Sequence, residues 1–384
     1  MTLSLMATRE ITPVLADSPE SRRYNRIKRW LGIADFATGF GLLVVLLATG
    51  WTGTLRDLAE RGASQNYAYS VLLYVVMLML ISKVVGTPLE YYSFRLEHRY
   101  NLSNQRFRSW LWDEFKGLLI GLVMATIVVE LLYMLIRQAP EHWWVIGWAV
   151  FLGLVVLLAQ LAPVVLFPIF YKFEPLDNEE LKRRLIVLSE RAGTRVRGVY
   201  KWHLSEKSKK ANAALTGLGA TRRIILADTL LDNYSDDEIE AVLAHELGHH
   251  VHRHILKSIV VQAGITLFGF WLANEVLLYA VERRQMFEQM SDFANLPLLI
   301  LVATVLSFLL MPALNAYSRF NERQADRYCF HSVASVEPFI SSMNKLAEQN
   351  LAERTPSRWV EWLLYSHPAI AKRIAAAEAW AKTH

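Results

Sequence analysis

Six stretches of this chain are apolar for long enough to cross a lipid bilayer, which takes roughly 20 residues of helix. They are Leu31–Trp51, Tyr69–Thr87, Leu118–Ile136, Val145–Phe167, Lys257–Leu278 and Leu296–Pro312. Composition agrees: 53% of the 384 residues are hydrophobic and only 20% are charged, against about a quarter charged in a soluble domain. A disordered chain is excluded and a wholly soluble enzyme is not expected; the expected fold class is mainly α, a polytopic membrane protein. The single cysteine, Cys329, rules out an intrachain disulfide and any Cys-based metal site. The net charge, 41 − 36 = +5, suits loops facing an anionic bilayer better than nucleic acid, which is not expected as a partner. Thirty mostly polar residues precede the first span and no small-residue cleavage site follows it, so it is expected to stay in place.

Lys and Arg set the orientation. The N-terminal segment carries Arg9, Arg22, Arg23, Arg26, Lys28 and Arg29, and the loop after span two has Arg95, Arg99, Arg106, Arg108 and Lys116. The loops between are nearly balanced. This alternation predicts a cytoplasmic N-terminal segment (1–30), four spans joined by a basic loop (31–170) and a cytoplasmic catalytic region (171–256). Two further spans (257–314) and C-terminal helices (315–384) follow, the last returning to the cytoplasmic side. In a bacterium the membrane would be the inner one; in a eukaryote, the endoplasmic reticulum. Lys83, Glu130, Gln160, Gln262 and Glu275 fall inside spans. Either they snorkel from span ends or they line a hydrated cavity between the helices.

The polar middle predicts a small sheet on helices. Leu176–Ala192 has helical periodicity, and Val196–Ser205, Ala211–Leu218 and Arg223–Ala227 are strand-like, the last two joined by a glycine-containing turn. Ser235-Asp236-Asp237-Glu238 is a capping box, two reciprocal side-chain bonds that start a helix. Ile239, Val242, Leu243 and Leu247 continue it at helical spacing.

That helix carries His245-Glu246-Leu247-Gly248-His249. Imidazoles at i and i+4 share one helix face and can grip one Zn²⁺, while the glutamate, about 100° further round, misses the ion but reaches a water beside it as a general base. A catalytic zinc takes a third protein ligand and keeps one position open. His250, His252 and His254 are close in sequence, but three ligands along one straight helix cannot close a tetrahedron, so these read as interfacial histidines at the mouth of span five. Glu322 and Asp326, one helical turn apart after span six, fit better: one carboxylate to bind the ion, a second to orient a ligand histidine through its ring N–H. Taken without the zinc helix, the same pair would read as surface acids bridged to Arg319 or Arg323.

Together with Ser366-His367-Pro368 and Arg373-Ile374, these motifs resemble the integral-membrane gluzincin peptidases, the type I CAAX prenyl proteases above all. The basic loop Glu97–Ser103, the Pro163–Leu176 run and Asn212-Ala213 before Thr216-Gly217 extend the resemblance from about Glu90 to Ile374. It implies a gluzincin-type α+β zinc-peptidase region at the cytoplasmic end of a helical membrane barrel, with one Zn²⁺ per chain. His245, His249 and Glu322 would bind it, Glu246 would be the base and Asp326 would support a histidine. Asn212, with Ala213 beside it, His367 and Arg373 would hold substrate backbone or oxyanion. Family members have seven spans; six are counted here.

Three functions follow as expectations. The first is an endopeptidase cutting near the C-terminus of prenylated proteins. The second is a quality-control protease for misfolded membrane proteins with no lipid requirement. The third is a scaffold holding structural zinc, which the intact Glu246 argues against, because a structural site has no use for a base.

Overall fold

The computed structural model describes residues 16–217 and 222–384. Arg9, and Leu218 with the turn after it, lie outside the described residues. Among the described residues six helices are long and apolar enough to cross a membrane. They are α1 (Pro19–Ala48), α3 (Tyr67–Arg99), α4 (Phe107–Gln138), α5 (Trp143–Leu161), α10 (His254–Leu278) and α11 (Leu296–Ser332). Between α1 and α3 lies α2 (Trp51–Gly62), whose 12 residues reach only about 18 Å. A π turn at Ala162–Leu166 carries α5 on into the short α6 (Phe167–Phe170).

The apolar runs understate the helices. The first begins at Pro19, capped by the Ser18 side chain, so part of the expected N-terminal segment is already helical. Span six does not stop at Pro312: α11 continues for 37 residues to Ser332 with that proline inside it. Proline removes one backbone hydrogen bond, a loss that a membrane helix tolerates where neighbours satisfy the freed carbonyl. Lys83 is not left alone in its span, since its Nζ lies 2.5 Å from both Glu90 and Glu114.

The polar region holds a four-stranded sheet: β1 (Phe173–Pro175), β2 (Val199–Trp202), β3 (Ala213–Thr216) and β4 (Arg223–Ala227), in the order β1-β2-β4-β3. The pair β2–β4 is parallel and the other two are antiparallel, leaving β3 with one edge unpaired among the described residues. Helix α7 (Glu179–Arg191), the single turn α8 (Asp228–Leu231) and α9 (Asp236–Val251) accompany the sheet. Leu181, Leu185, Ile224, Leu226, Ile239 and Leu247 form one buried core with residues of α11 and of α12 (Glu337–Gln349). Helices α13 (Arg358–Leu364) and α14 (Ile370–Ala381) complete the chain. The basic loop after α3 docks on the same region, with Lys210 Nζ 2.8 Å from Glu97 and Lys209 N donating to Leu102 O. Asp17, just before α1, accepts from the backbone N–H groups of Arg354 and Thr355 at 2.5 and 3.1 Å.

Candidate metal centre

The centre is built on α9 and α11. Helix α9 starts at the capping box: Ser235 Oγ accepts from Glu238 N, and Glu238 Oε2 accepts from Ser235 N at 2.7 Å. The same carboxylate accepts from Ser341 and Lys345 of α12. Burial works to raise the Glu238 pKa, but these donors outweigh it and hold it below the usual carboxylate range. A fixed helix start aims His245 and His249 at α11, and Gly248 lets the two helices meet backbone to backbone.

Glu322 reaches across from α11. His245 Nε2 and His249 Nε2 are 3.3 Å apart, His245 Nε2 is 3.3 Å from Glu322 Oε2, and His249 Nε2 is 3.3 Å from Glu322 Oε1. A tetrahedral ion with bonds of ~2.0–2.1 Å spaces its ligands about 3.3–3.4 Å apart; the His245–His249 edge matches, and each imidazole has a different one of the two Glu322 oxygens at that spacing. Glu322 Oε2 is buried and accepts no hydrogen bond, an orphan acceptor that a cation would satisfy. The residues fit a small divalent metal.

Each imidazole is held from behind. Asp326 Oδ1 lies 2.9 Å from His245 Nδ1 and accepts its N–H, which leaves the Nε2 lone pair free. Asp326 is in turn gripped by Arg373, Nε to Oδ2 at 2.9 Å and a terminal nitrogen to Oδ1 at 2.6 Å. Burial, then Arg373, pushes the His245 pKa down, but Asp326 and Glu322 outweigh both and raise it to about 9. The field around this ring favours a cation, whether proton or metal.

Behind His249 the sequence reading needs correcting. His254 is not an interfacial histidine: it is buried, and its Nδ1 lies 3.0 Å from His249 Nδ1. Its Nε2 is 2.9 Å from Gln324 Oε1. With the Gln324 oxygen accepting, His254 Nε2 carries a proton, its Nδ1 accepts from His249 Nδ1, and His249 Nε2 is left free. Arg253, at φ 55°, turns the chain between α9 and α10 and folds His254 back under His249. Five-residue spacing after the second motif histidine was the available signal, visible only if the helix breaks.

Arg373 differs too. Expected at substrate backbone or oxyanion, it is buried behind His245 with its guanidinium paired to Asp326. His367 faces outward instead: its side chain is 59% exposed, with Nε2 3.3 Å from Glu322 Oε1. Glu246 and His249 line a cavity of about 560 Å³ shared with Leu215 and Gly217 at the end of β3 and with Phe151, Val155, Ile255 and Ile259 from α5 and α10. Asn212 is exposed at the start of β3 and Ala213 pairs with Leu226; neither lines that cavity.

Comparison with known proteins gives the chain's family. The sequence model of peptidase family M48 matches residues 175–381, and that of the CAAX prenyl protease N-terminal region, described as five membrane helices, matches residues 15–172. The chain is a member of peptidase family M48. It is 31% identical to the uncharacterized metalloprotease YhfN of Bacillus subtilis over 93% of this chain and 84% of that protein. It is 28% identical to CAAX prenyl protease 1 of Saccharomyces cerevisiae over 79% of this chain and 71% of that protein. The crystal structure of S. mikatae Ste24p superposes with a TM-score of 0.85 at 24% identity, covering 97% of this chain and 92% of that one, and so shares its fold. This M48 chain is a membrane metalloendopeptidase. Among the described residues of the range 15–172 four helices are long and apolar enough to span, and the 12-residue α2 is not one of them.

Proposed function

We propose that this M48 protein is a zinc-dependent endopeptidase, with its N-terminus, catalytic region and C-terminus on the cytoplasmic side, that cleaves a peptide bond close to an apolar anchor in its substrate. The three 3.3 Å edges among His245, His249 and Glu322 carry this reading. Zinc held there would supply a Lewis acid that acidifies water and polarises a carbonyl.

The chain's own residues do the rest. The Glu246 carboxylate takes a proton from the attacking water as the carbon–oxygen bond forms, then gives it to the amine nitrogen as the carbon–nitrogen bond breaks. His367 Nε2 donates to the carbonyl oxygen as negative charge gathers on it. Asp326 and His254 fix the two imidazoles with Nε2 inward, and Arg373 keeps Asp326 in place. An extended substrate adds to the free edge of β3, with Asn212 and Ala213 at its entrance.

The finer reading is a prenylated C-terminus, since relatives of this chain are named CAAX prenyl proteases and the cavity beside Glu246 runs into the apolar walls of α5 and α10. A bare membrane segment offers the same walls the same chemistry, which keeps the quality-control reading alive. The test compares farnesylated and unmodified versions of one peptide, with purified, zinc-loaded protein and with chelator. A large preference for the farnesylated peptide, abolished by chelator, is expected. Equal rates would remove lipid recognition, and turnover that survives chelation would remove the metal reading.

A further inference from the structure

On the far side of Asp326 from the catalytic cavity lies a second pocket, of about 530 Å³, between α11, α13 and α14. Its walls carry Arg319, Arg323, Arg327, Arg358, Lys372 and Arg373 against two carboxylates, Asp326 and Glu361. Both acids are already satisfied. Asp326 is paired with Arg373, and Glu361 takes Lys372 Nζ at 2.6 Å and the backbone N–H of Ala369 at 3.1 Å. Arg319 donates inward to the carbonyls of Glu361 and Tyr365. Three cations remain. Arg323, Arg327 and Arg358 are exposed at the pocket's rim, and among the described residues they have no hydrogen-bond or ion-pair partner.

Position relative to the bilayer says what those cations meet. Helix α13 is fastened to α11 just beyond the apolar run, where Asn315 Nδ2 donates to Leu363 O at 2.7 Å. On its outer side Trp359 is 78% and Trp362 49% exposed, and Phe320 of α11 is 50% exposed. Tryptophans of this kind belong at the headgroup level of a membrane. At that level free guanidiniums would meet lipid phosphates, and Arg is well suited to phosphate because its planar fork can bind two oxygens at once.

We propose that this pocket binds the headgroup of an anionic phospholipid. Trp359 and Trp362 bed in the interface while Arg323, Arg327 and Arg358 close on the phosphate. No residue lines both this pocket and the catalytic cavity.

The test uses the full-length protein in detergent and compares retention of phosphatidylglycerol and phosphatidylcholine by native mass spectrometry. Phosphatidylglycerol is expected to bind more tightly. Each basic residue near a membrane surface contributes about fivefold, so Arg323→Gln with Arg358→Gln should weaken it roughly 25-fold, and the double Lys variant should keep most of it. Equal retention of the two lipids, or no loss in the Gln variant, overturns the proposal. Displacement of phosphatidylglycerol by an equal concentration of inorganic phosphate would make this a soluble-anion site and remove the lipid. A raised KM for peptide in the Gln variant with lipid retention unchanged would reassign the pocket to the substrate's acidic end.

Discussion

Gly248 and Ala325 meet backbone to backbone: a Cβ on Gly248 would lie 2.8 Å from Ala325 Cα and 2.9 Å from its carbonyl oxygen. This contact lets α9 and α11 approach closely enough for Glu322 to share a centre with two histidines. Gly→Ala inside a helix ordinarily stabilises it by up to about 1 kcal/mol. Here overpacking should reverse the sign, costing about 1–3 kcal/mol, and metal content should fall with it. Thermal melts and metal analysis of Gly248→Ala check this; an unchanged or raised Tm would contradict it.

Glu246 touches neither ligand histidine in the polar network, so its removal should separate chemistry from metal binding. Glu246→Gln is expected to retain a full complement of metal while kcat falls about 10²–10⁴-fold. Metal stoichiometry and peptide turnover, measured on one preparation, decide it. Near-normal turnover would falsify the base assignment.

Asp326 acts on the metal through His245. Asp326→Asn weakens the acceptor at His245 Nδ1 and leaves buried Arg373 without its counter-charge. Metal affinity should drop about 10–100-fold, the usual effect of removing such a support. A competition titration against a chelator reads the change.

His254 should behave alike although it lies on a membrane helix. His254→Phe removes the acceptor at His249 Nδ1 and is expected to lower metal affinity by a similar factor of about 10–100, whereas His254→Asn, which keeps an acceptor, should recover part of it. If Phe and wild type bind metal equally, His254 is only filling space.

The start of α9 gives the stability a pH dependence. Glu238 has a folded-state pKa below its ordinary value because Lys345, Ser341 and Ser235 bind the carboxylate. Its contribution is therefore present above the ordinary carboxylate pKa and is lost as pH falls through the lowered one. Glu238→Gln should cost about 1 kcal/mol near neutrality, the scale of a lost helix cap. The gap to wild type should close on acidification below about pH 4. Melts of both proteins across that range test it, and a constant gap would disprove the linkage.

Much of the centre was legible because its signals are local. The capping box, the His245–His249 pair and the Glu322–Asp326 pair each depend on spacing within one helix, and the structure carries all of them on α9 and α11. His254 was missed because its contact depends on Arg253 taking a left-handed conformation, which no periodicity announces. The grip of Arg373 on Asp326 was not legible for a similar reason: it comes from how α14 docks on α11, a packing fact. Pro312 read as the end of a span because proline ends helices in water, while within a membrane bundle the helix ran on.

His249 and Glu322 are parted in the chain by two complete membrane crossings, and His367 arrives only with the final helices. A polypeptide still being threaded into the bilayer thus carries a half-made blade. Cutting ability is withheld until insertion is finished and the last segments have closed on the first, which Asp17, clasped to Arg354 and Thr355, helps to latch.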